Sequence, residues 1–372
     1  MKSATFNGDR PLRVVVYTDS AGIGGAEISL SHLVATVADN IDIVILGTSQ
    51  VVVDAIAQKR PQAEKYVIPG TRYALPAHLA AFLAIHPDVV HINLCTPWAG
   101  AIAQFAALML PHTRVVRVDQ LPLRTTDLLT WWRTRVLCLR VDASVAVGEA
   151  SARLLEDFYA LGRHSVLSIP NGVPDTIHIP TKTEEITIGS VGRLDAMKGY
   201  DVLLRAIALV DGVKLVIIGE GGERTALEKL AIDLQIGDRV EFVGWLDNPR
   251  PYLSQFDIYV QPSRSEGFPL AIVEAMLAML PVVATRVGSV AEAVRDGETG
   301  FLVNKNDVAG LAAALCRLRD NSELRLDFGQ KGRAIAQASF TVEHMTRSYE
   351  HLWHKLVSQP QASRLFVPRP KD

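Results

Sequence analysis

Two glutamates, Glu266 and Glu274, sit eight residues apart in SRSEGFPLAIVEAML, and their surroundings differ. Glu274 is the only charge in a stretch that is apolar nearly all round from about Pro269, the pattern of a buried helix. A lone buried carboxylate costs several kcal/mol unless it is paired or hydrogen-bonded, so Glu274 requires a partner. That partner is either a cation, in a structural ion pair, or the two hydroxyls of a ribose. Glu266 lies in the loop before this helix, near the N–H groups of Gly267, Phe268 and Leu270. Pro269 opens the helix where a missing donor costs nothing. Alone, Glu266 reads as a carboxylate capping a helix N-terminus. Together at this spacing the two glutamates point to one site.

A second group of residues could hold an anion. In SVGRLDAMKGYDVLL, Gly192 and Arg193 end an apolar strand, and Lys198 precedes a helix. Two cations at the carboxyl end of a strand, with a glycine keeping the backbone close, suit a diphosphate. A third candidate is AGIGGAEIS, after the strand RVVVYT. Gly22 and Gly24 fit the first two places of a dinucleotide fingerprint, but Glu27 stands where the third glycine belongs, and a carboxylate there is expected to repel a pyrophosphate. The Gly24-Gly25 turn still opens a helix whose free N–H groups can receive an anion.

The elements that must position these residues follow from alternating patterns. Short apolar runs, RVVVYT, IDIVIL, KYVIP, DVVHIN, RVVRVD, ASVAVG and VLSIP, alternate with helical patterns in the first half. The second half repeats the scheme with ITIGSVG, KLVIIG, VEFVG, IYVQP, PVVAT and GFLV. Near-continuous apolar strands separated by helices predict parallel sheets covered on both faces. The expected architecture is α/β, with two doubly wound, Rossmann-like domains and the ligand in a cleft at the carboxyl ends of their strands. The expected boundaries are 1–172, 173–340, a last helix 341–358, and a basic, proline-rich tail 359–372 expected to be disordered. The connector is NGVPDTIHIPTKTEE, residues 171–185.

These motifs resemble glycosyltransferase family 4. The resemblance rests on E-x7-E from Glu266 to Glu274, R-x4-K from Arg193 to Lys198, and the runs GEGGER, VEFVGWL and ETGFLV. It is strong from SIPNGVP to GFLV and weaker before about residue 165. It implies a GT-B fold and transfer of a sugar from a nucleotide sugar with retention of anomeric configuration, usually without a metal. No D-x-D motif occurs in the sequence. By the resemblance, Arg193 and Lys198 hold the donor diphosphate. Glu266 contacts hydroxyls of the donor sugar, with the amides of Gly267, Phe268 and Leu270 nearby, and Glu274 binds the ribose. Gly24 and Gly25 meet the donor phosphates. Gly192, Ser190, Gly219, Glu220, Gly221 and the segment Val243 to Leu246 line the nucleotide pocket, for a UDP- or GDP-sugar used as substrate, with no separate cofactor.

The chain also departs from the family pattern. Many members carry a histidine just before an aspartate at the end of RVVRVD; here Val118 precedes Asp119. Asp119 could position the acceptor or serve as a turn residue. His91 could face the cleft or be structural, and Asn171 matches a family signature beside a glycine turn. Met279 replaces a glycine before PVVAT.

The acceptor side is less informative. DLLTWWRTRVLCLR, residues 127–140, mixes Trp131 and Trp132 with three arginines. That suits an interfacial helix reaching a lipid-linked acceptor. The favoured reading is an ordinary domain helix with arginines in water, since nothing in the sequence puts them on one face.

A formal net charge of −2 gives no support to nucleic-acid binding. The three cysteines lack metal-ligand or disulfide spacing and fit a reducing cytoplasm, and no apolar run is long enough for a membrane span. The expected function is a retaining, metal-independent glycosyltransferase of glycolipid or cell-surface polysaccharide synthesis, acting in the cytoplasm or peripherally on a membrane. Two alternatives remain: a GT-B nucleotide-sugar epimerase, and a binding protein that kept the donor pocket without turnover.

Overall fold

The computed structural model describes residues 10–68, 74–175 and 185–359. Most of the expected connector, 176–184, and the expected tail from 360 onward lie outside the described residues. The chain divides into two compact units, Met1–Gly172 with Val342–Asp372, and Val173–Thr341.

In the first unit the strands are β1 (Leu12–Thr18), β2 (Ile41–Gly47), β3 (Glu64–Val67), β4 (Val89–Leu94), β5 (Arg114–Asp119), β6 (Ala143–Ala146) and β7 (Val166–Ser168). They form one parallel sheet in the order β3-β2-β1-β4-β5-β6-β7. In the second unit β8 (Ile186–Val191), β9 (Val213–Ile218), β10 (Val240–Gly244), β11 (Ile258–Gln261), β12 (Val282–Thr285) and β13 (Gly300–Val303) are ordered β10-β9-β8-β11-β12-β13, again all parallel. Both sheets are wound outward in two directions from their first strand. Each therefore has a switch point, β1/β4 in one and β8/β11 in the other, where the connections leave to opposite sides and open a crevice at the carboxyl ends.

Burial on both faces explains the unbroken apolar strands. Val14, Val16, Val116 and Val118 belong to one core of the first unit, which is completed by the last helix, Val342–Ser358. That helix inserts Met345, Tyr349, Leu352, Trp353 and Leu356 at three- and four-residue spacing. The second unit has its own core around Ile188, Leu215, Ile217, Ile258 and Val260. No helix among the described residues is long and apolar enough to cross a membrane.

Candidate functional site

In the second unit the charged candidates gather around the switch point. Lys198, in the short 3-10 turn Ala196–Lys198 after β8, donates from Nζ to Glu266 Oε1 at 2.7 Å. Glu266 follows β11 and is buried. Gln261 Nε2 at 2.9 Å and Ser263 Oγ at 2.6 Å donate to the same Oε1. Three donors thus converge on one carboxylate oxygen, and Oε2 has no partner among the described residues. The capping role open to Glu266 is corrected: the helix Leu270–Leu277 has Pro269 at its N-cap and no side-chain cap. Glu266 points toward Lys198 instead; behind it Gly288, at φ +50, lets its loop press against the Glu266 carbonyl, where any Cβ would collide. Ser289 N then donates to Gly267 O at 2.9 Å and fixes the loop. The amides of Gly267, Phe268 and Leu270 lie at or before the first turn, where no intrahelical acceptor exists. The Phe268 ring packs against Phe340 at 5.0 Å.

Arg193 lies just past β8, 71% exposed, its Nε bonded to Asp195 at 2.6 Å. Asp195 also accepts from the amides of Met197 and Lys198, so one carboxylate orients both the arginine and the turn carrying the lysine. Three glycines close the ends of adjacent strands. Gly192 N donates to Ile218 O at 3.0 Å and Gly219 N to Gly244 O at 2.9 Å. A Cβ on Gly219, whose φ is +147, would strike the Gly192 carbonyl. Val243 and Leu246 flank Gly244 and are half-buried. Ser190 is corrected as a lining residue: it is fully buried, its hydroxyl donating to Val260 O at 2.7 Å.

Glu274 has a partner that the sequence did not reveal. Arg250 Nε, from the 3-10 segment Arg250–Gln255, lies 2.9 Å from Glu274 Oε1, with the two side chains 17% and 12% exposed. The structural ion pair is therefore present, and a ribose role would have to share this carboxylate with Arg250. No spacing rule connects residues 24 apart on separate elements. Gln261, Ser263 and Gly288 were likewise missed; QPSRSE shows a polar cluster, but not which oxygen it feeds.

The first unit has its own strand-end features. Gly24 is the N-cap of the helix Gly25–Thr36, and its N–H donates to Glu27 Oε2 at 3.0 Å, the return half of a capping box, since glycine has no side chain to supply the other half. Glu27 is buried, and Thr18 Oγ1 and Cys95 Sγ donate to its other oxygen at 3.3 and 3.2 Å. Burial, with the Glu27 charge beside it, pushes the Cys95 thiol up to about 12. The Glu27 carboxylate is turned inward and fastens the helix start.

Three acceptor-side candidates are also corrected. His91 sits inside β4, 1% exposed, with Tyr349 and Trp353 of the last helix edge-on to its ring at 4.9 and 5.7 Å. Burial lowers its pKa to about 3. Asp119 forms a buried two-point ion pair with Arg117, Nε–Oδ2 2.8 Å and Nη2–Oδ1 2.6 Å, and is neither a turn residue nor exposed to an acceptor. Asn171 is buried in a chain of side chains: Ser29 donates to it at 2.7 Å, and it donates to Gln120 at 2.9 Å. Gln120 donates to Asn93, which donates to Ala26 O at 3.1 Å, beneath the opening turn of the helix Gly25–Thr36.

Comparison with known proteins agrees with this architecture. Residues 176–335 match the model of "Glycosyl transferases group 1" and residues 23–176 that of "Glycosyltransferase Family 4". The chain belongs to the group 1, family 4 glycosyltransferases. It is 33% identical over 208 residues to the lipopolysaccharide core biosynthesis glycosyltransferase LpsE of Rhizobium meliloti, covering 56% of this chain and 58% of that one. It is 30% identical over 152 residues to the N-acetyl-alpha-D-glucosaminyl L-malate synthase of Bacillus anthracis, covering 41% and 40%. The chain thus spans about half the length of these curated relatives. The crystal structure of Anabaena HepE in complex with UDP shares the fold at a TM-score of 0.83 and 19% identity, covering 92% of this chain and 100% of that one. The fold is GT-B, with two Rossmann-like units.

Proposed function

We propose that this chain is a retaining, metal-independent glycosyltransferase that moves a sugar from a nucleotide sugar, UDP- or GDP-linked, to an acceptor hydroxyl in glycolipid or cell-surface polysaccharide synthesis. The observation that carries the reading is Glu266. Lys198, Gln261 and Ser263 hold one of its oxygens and leave the other to accept a hydrogen bond. A rigid, buried carboxylate with one oxygen available suits sugar hydroxyls, and it stands beside two cations at a switch point. Family membership supports the reaction class, and LpsE supports the pathway class as a relative. The UDP bound to HepE supports a uridine donor among the alternatives.

The chemistry follows from charge. Cleavage of a sugar–phosphate bond concentrates negative charge on the departing diphosphate. Donors already aimed at that charge lower the barrier more than donors that must reorganise. Arg193 and Lys198 supply the positive charge in this reading. Lys198 is pre-set by Glu266, so the sugar-contacting and phosphate-contacting groups are fixed relative to each other. Glu274, held by Arg250, takes the ribose hydroxyls. Work in the cytoplasm or peripherally on a membrane is part of the same proposal.

A thermal-shift screen with UDP-, GDP-, ADP- and dTDP-sugars and with NAD tests it. At about a hundredfold excess over Kd, binding adds about 2.7 kcal/mol, roughly 5–10 °C for a domain of this size. One nucleotide sugar is expected to give such a shift and Glu274→Ala to abolish it. A response to NAD alone would overturn the reading. NMR of the product's anomeric configuration tests retention, and turnover unchanged in a chelator tests metal independence.

A further inference from the structure

Glu266 is held by a line of buried side chains that runs back to the end of β8. Tyr259 and Gln261 lie two apart on β11 and so share a face, and Ser263 follows them. All three are buried. Tyr259 Oη donates to Gln261 Oε1 at 2.8 Å. Gln261 Nε2 directs one hydrogen to Ser263 Oγ and the other to Glu266 Oε1, each at 2.9 Å. Ser263 Oγ continues in the same direction, donating to the same Glu266 oxygen at 2.6 Å. Direction matters because the two ends of a glutamine amide are alike in shape and opposite in polarity. Turned over, Gln261 would set its carbonyl oxygen against the Glu266 carboxylate.

One donor in the line cannot reverse. Val191 N–H, at the end of β8, reaches Tyr259 Oη at 3.4 Å. It is available because the β8–β11 ladder runs only from Ile188 with Ile258 to Gly189 with Tyr259. With its oxygen accepting there, Tyr259 has a single hydrogen to give, and Gln261 Oε1 at 2.8 Å is closer than Val191 O at 3.3 Å. The reversed line would require the same oxygen to accept two N–H groups and would move the hydrogen to the longer bond. Burial raises the Tyr259 pKa well above its usual value, so the hydroxyl keeps that hydrogen at working pH. We infer that Tyr259 is a positioning residue for the donor site: it locks Gln261 in the orientation that donates to Glu266, and so keeps Glu266 Oε2 as the oxygen open to the sugar. Val191 directly precedes Gly192 and Arg193, so the line also ties this carboxylate to the strand end that carries the arginine. The inference rests on the reading of Glu266 as the contact to the sugar hydroxyls.

The test is calorimetric titration of UDP and GDP, each free and carrying glucose, galactose or mannose, into the full chain and into Tyr259→Phe, Gln261→Met and the double variant, with melting curves of each. Tyr259→Phe removes one hydroxyl and keeps the buried ring. It is expected to weaken the bound nucleotide sugar about fivefold, the effect of one hydrogen bond, and to leave the free nucleotide unchanged. Gln261→Met should weaken the nucleotide sugar at least as much, and the double variant no further, since Tyr259 acts through Gln261. A merely structural tyrosine would weaken both ligands alike, or add its loss to that of Gln261→Met, and either result would overturn the inference. So would an unchanged nucleotide-sugar affinity in Tyr259→Phe. No binding of any nucleotide or nucleotide sugar by the folded wild-type chain would instead contradict the donor-site reading. The melting curves then decide the lock alone: losses in the single variants that fail to add in the double variant support it, and additive losses overturn it.

Discussion

Arg193 and Lys198 play matched roles in this account but differ in what surrounds them, and that difference separates function from stability. Arg193 is largely exposed, so Arg193→Ala should change stability by no more than about 0.5 kcal/mol. Lys198→Ala leaves the buried Glu266 without its cation and should cost about 1–3 kcal/mol. Both should lower turnover by roughly 10²–10³-fold, the effect of removing one donor from a developing anion. Denaturation midpoints and initial rates on the same samples check the pair; near wild-type turnover in either variant removes that residue from the diphosphate clamp. His91 makes a pH prediction. Its folded pKa, about 3, lies below the unfolded value near 6.5, so the unfolded chain binds the proton first. Stability contributed by the neutral ring is intact above pH 6.5 and is lost as pH falls toward 3, by up to about 1.4 kcal/mol per pH unit. Melting curves from pH 7 to 4 should show this loss, and His91→Phe should reduce its steepness; equal slopes would mean that other groups set it.

The strand-end glycines and the caps decide where these side chains point. Met279 lies just past the helix Leu270–Leu277 at φ +60, while Leu280 N reaches Ala275 O at 3.0 Å and Met279 N reaches Met276 O at 3.0 Å. That bond pattern is a Schellman close, and its left-handed position favours glycine. Met279→Gly should therefore raise stability by about 1 kcal/mol, read as a higher denaturation midpoint with unchanged slope. A lower midpoint would show that packing of the methionine outweighs the backbone strain. Most of the thirteen strands among the described residues were legible as near-continuous apolar runs, because inner strands of a doubly wound sheet are buried on both faces, whereas the edge strands β3 (EKYV) and β10 (VEFVG) carry charge and are partly exposed. The E-x7-E and R-x4-K spacings were legible for a similar reason, since each is carried by a single loop and helix. What the spacing could not show was a partner on another element, such as Arg250 for Glu274 or the Gly288 loop against Glu266. The burial of His91 was hidden because its cover, Tyr349 and Trp353, lies more than 250 residues away. The Asp119 pair carried a usable signal: Arg117 is two residues earlier on the same strand, and side chains two apart share a face.

The chain crosses from the first unit to the second and returns, so its last helix completes the core of the unit that began it. Val342, Met345, Tyr349, Leu352, Trp353 and Leu356 are buried there. At about 1.5–3 kcal/mol for each large side chain, their contribution rivals the roughly 5–15 kcal/mol stability of a whole domain. A chain ending at Thr341 should therefore lose the folded first unit, seen as a missing cooperative transition in calorimetry; two retained transitions would contradict the assignment of this core. The central claim, however, concerns the second unit, where the ends of β8 and β11 are read as a nucleotide-sugar site. Its most direct test is a calorimetric titration of UDP and GDP into the wild-type chain and Arg193→Ala. One of the two is expected to bind, and Arg193→Ala to weaken it about tenfold or more at an unchanged melting temperature. Equal affinity in wild type and variant, or no binding of either by the folded wild-type chain, would contradict that claim.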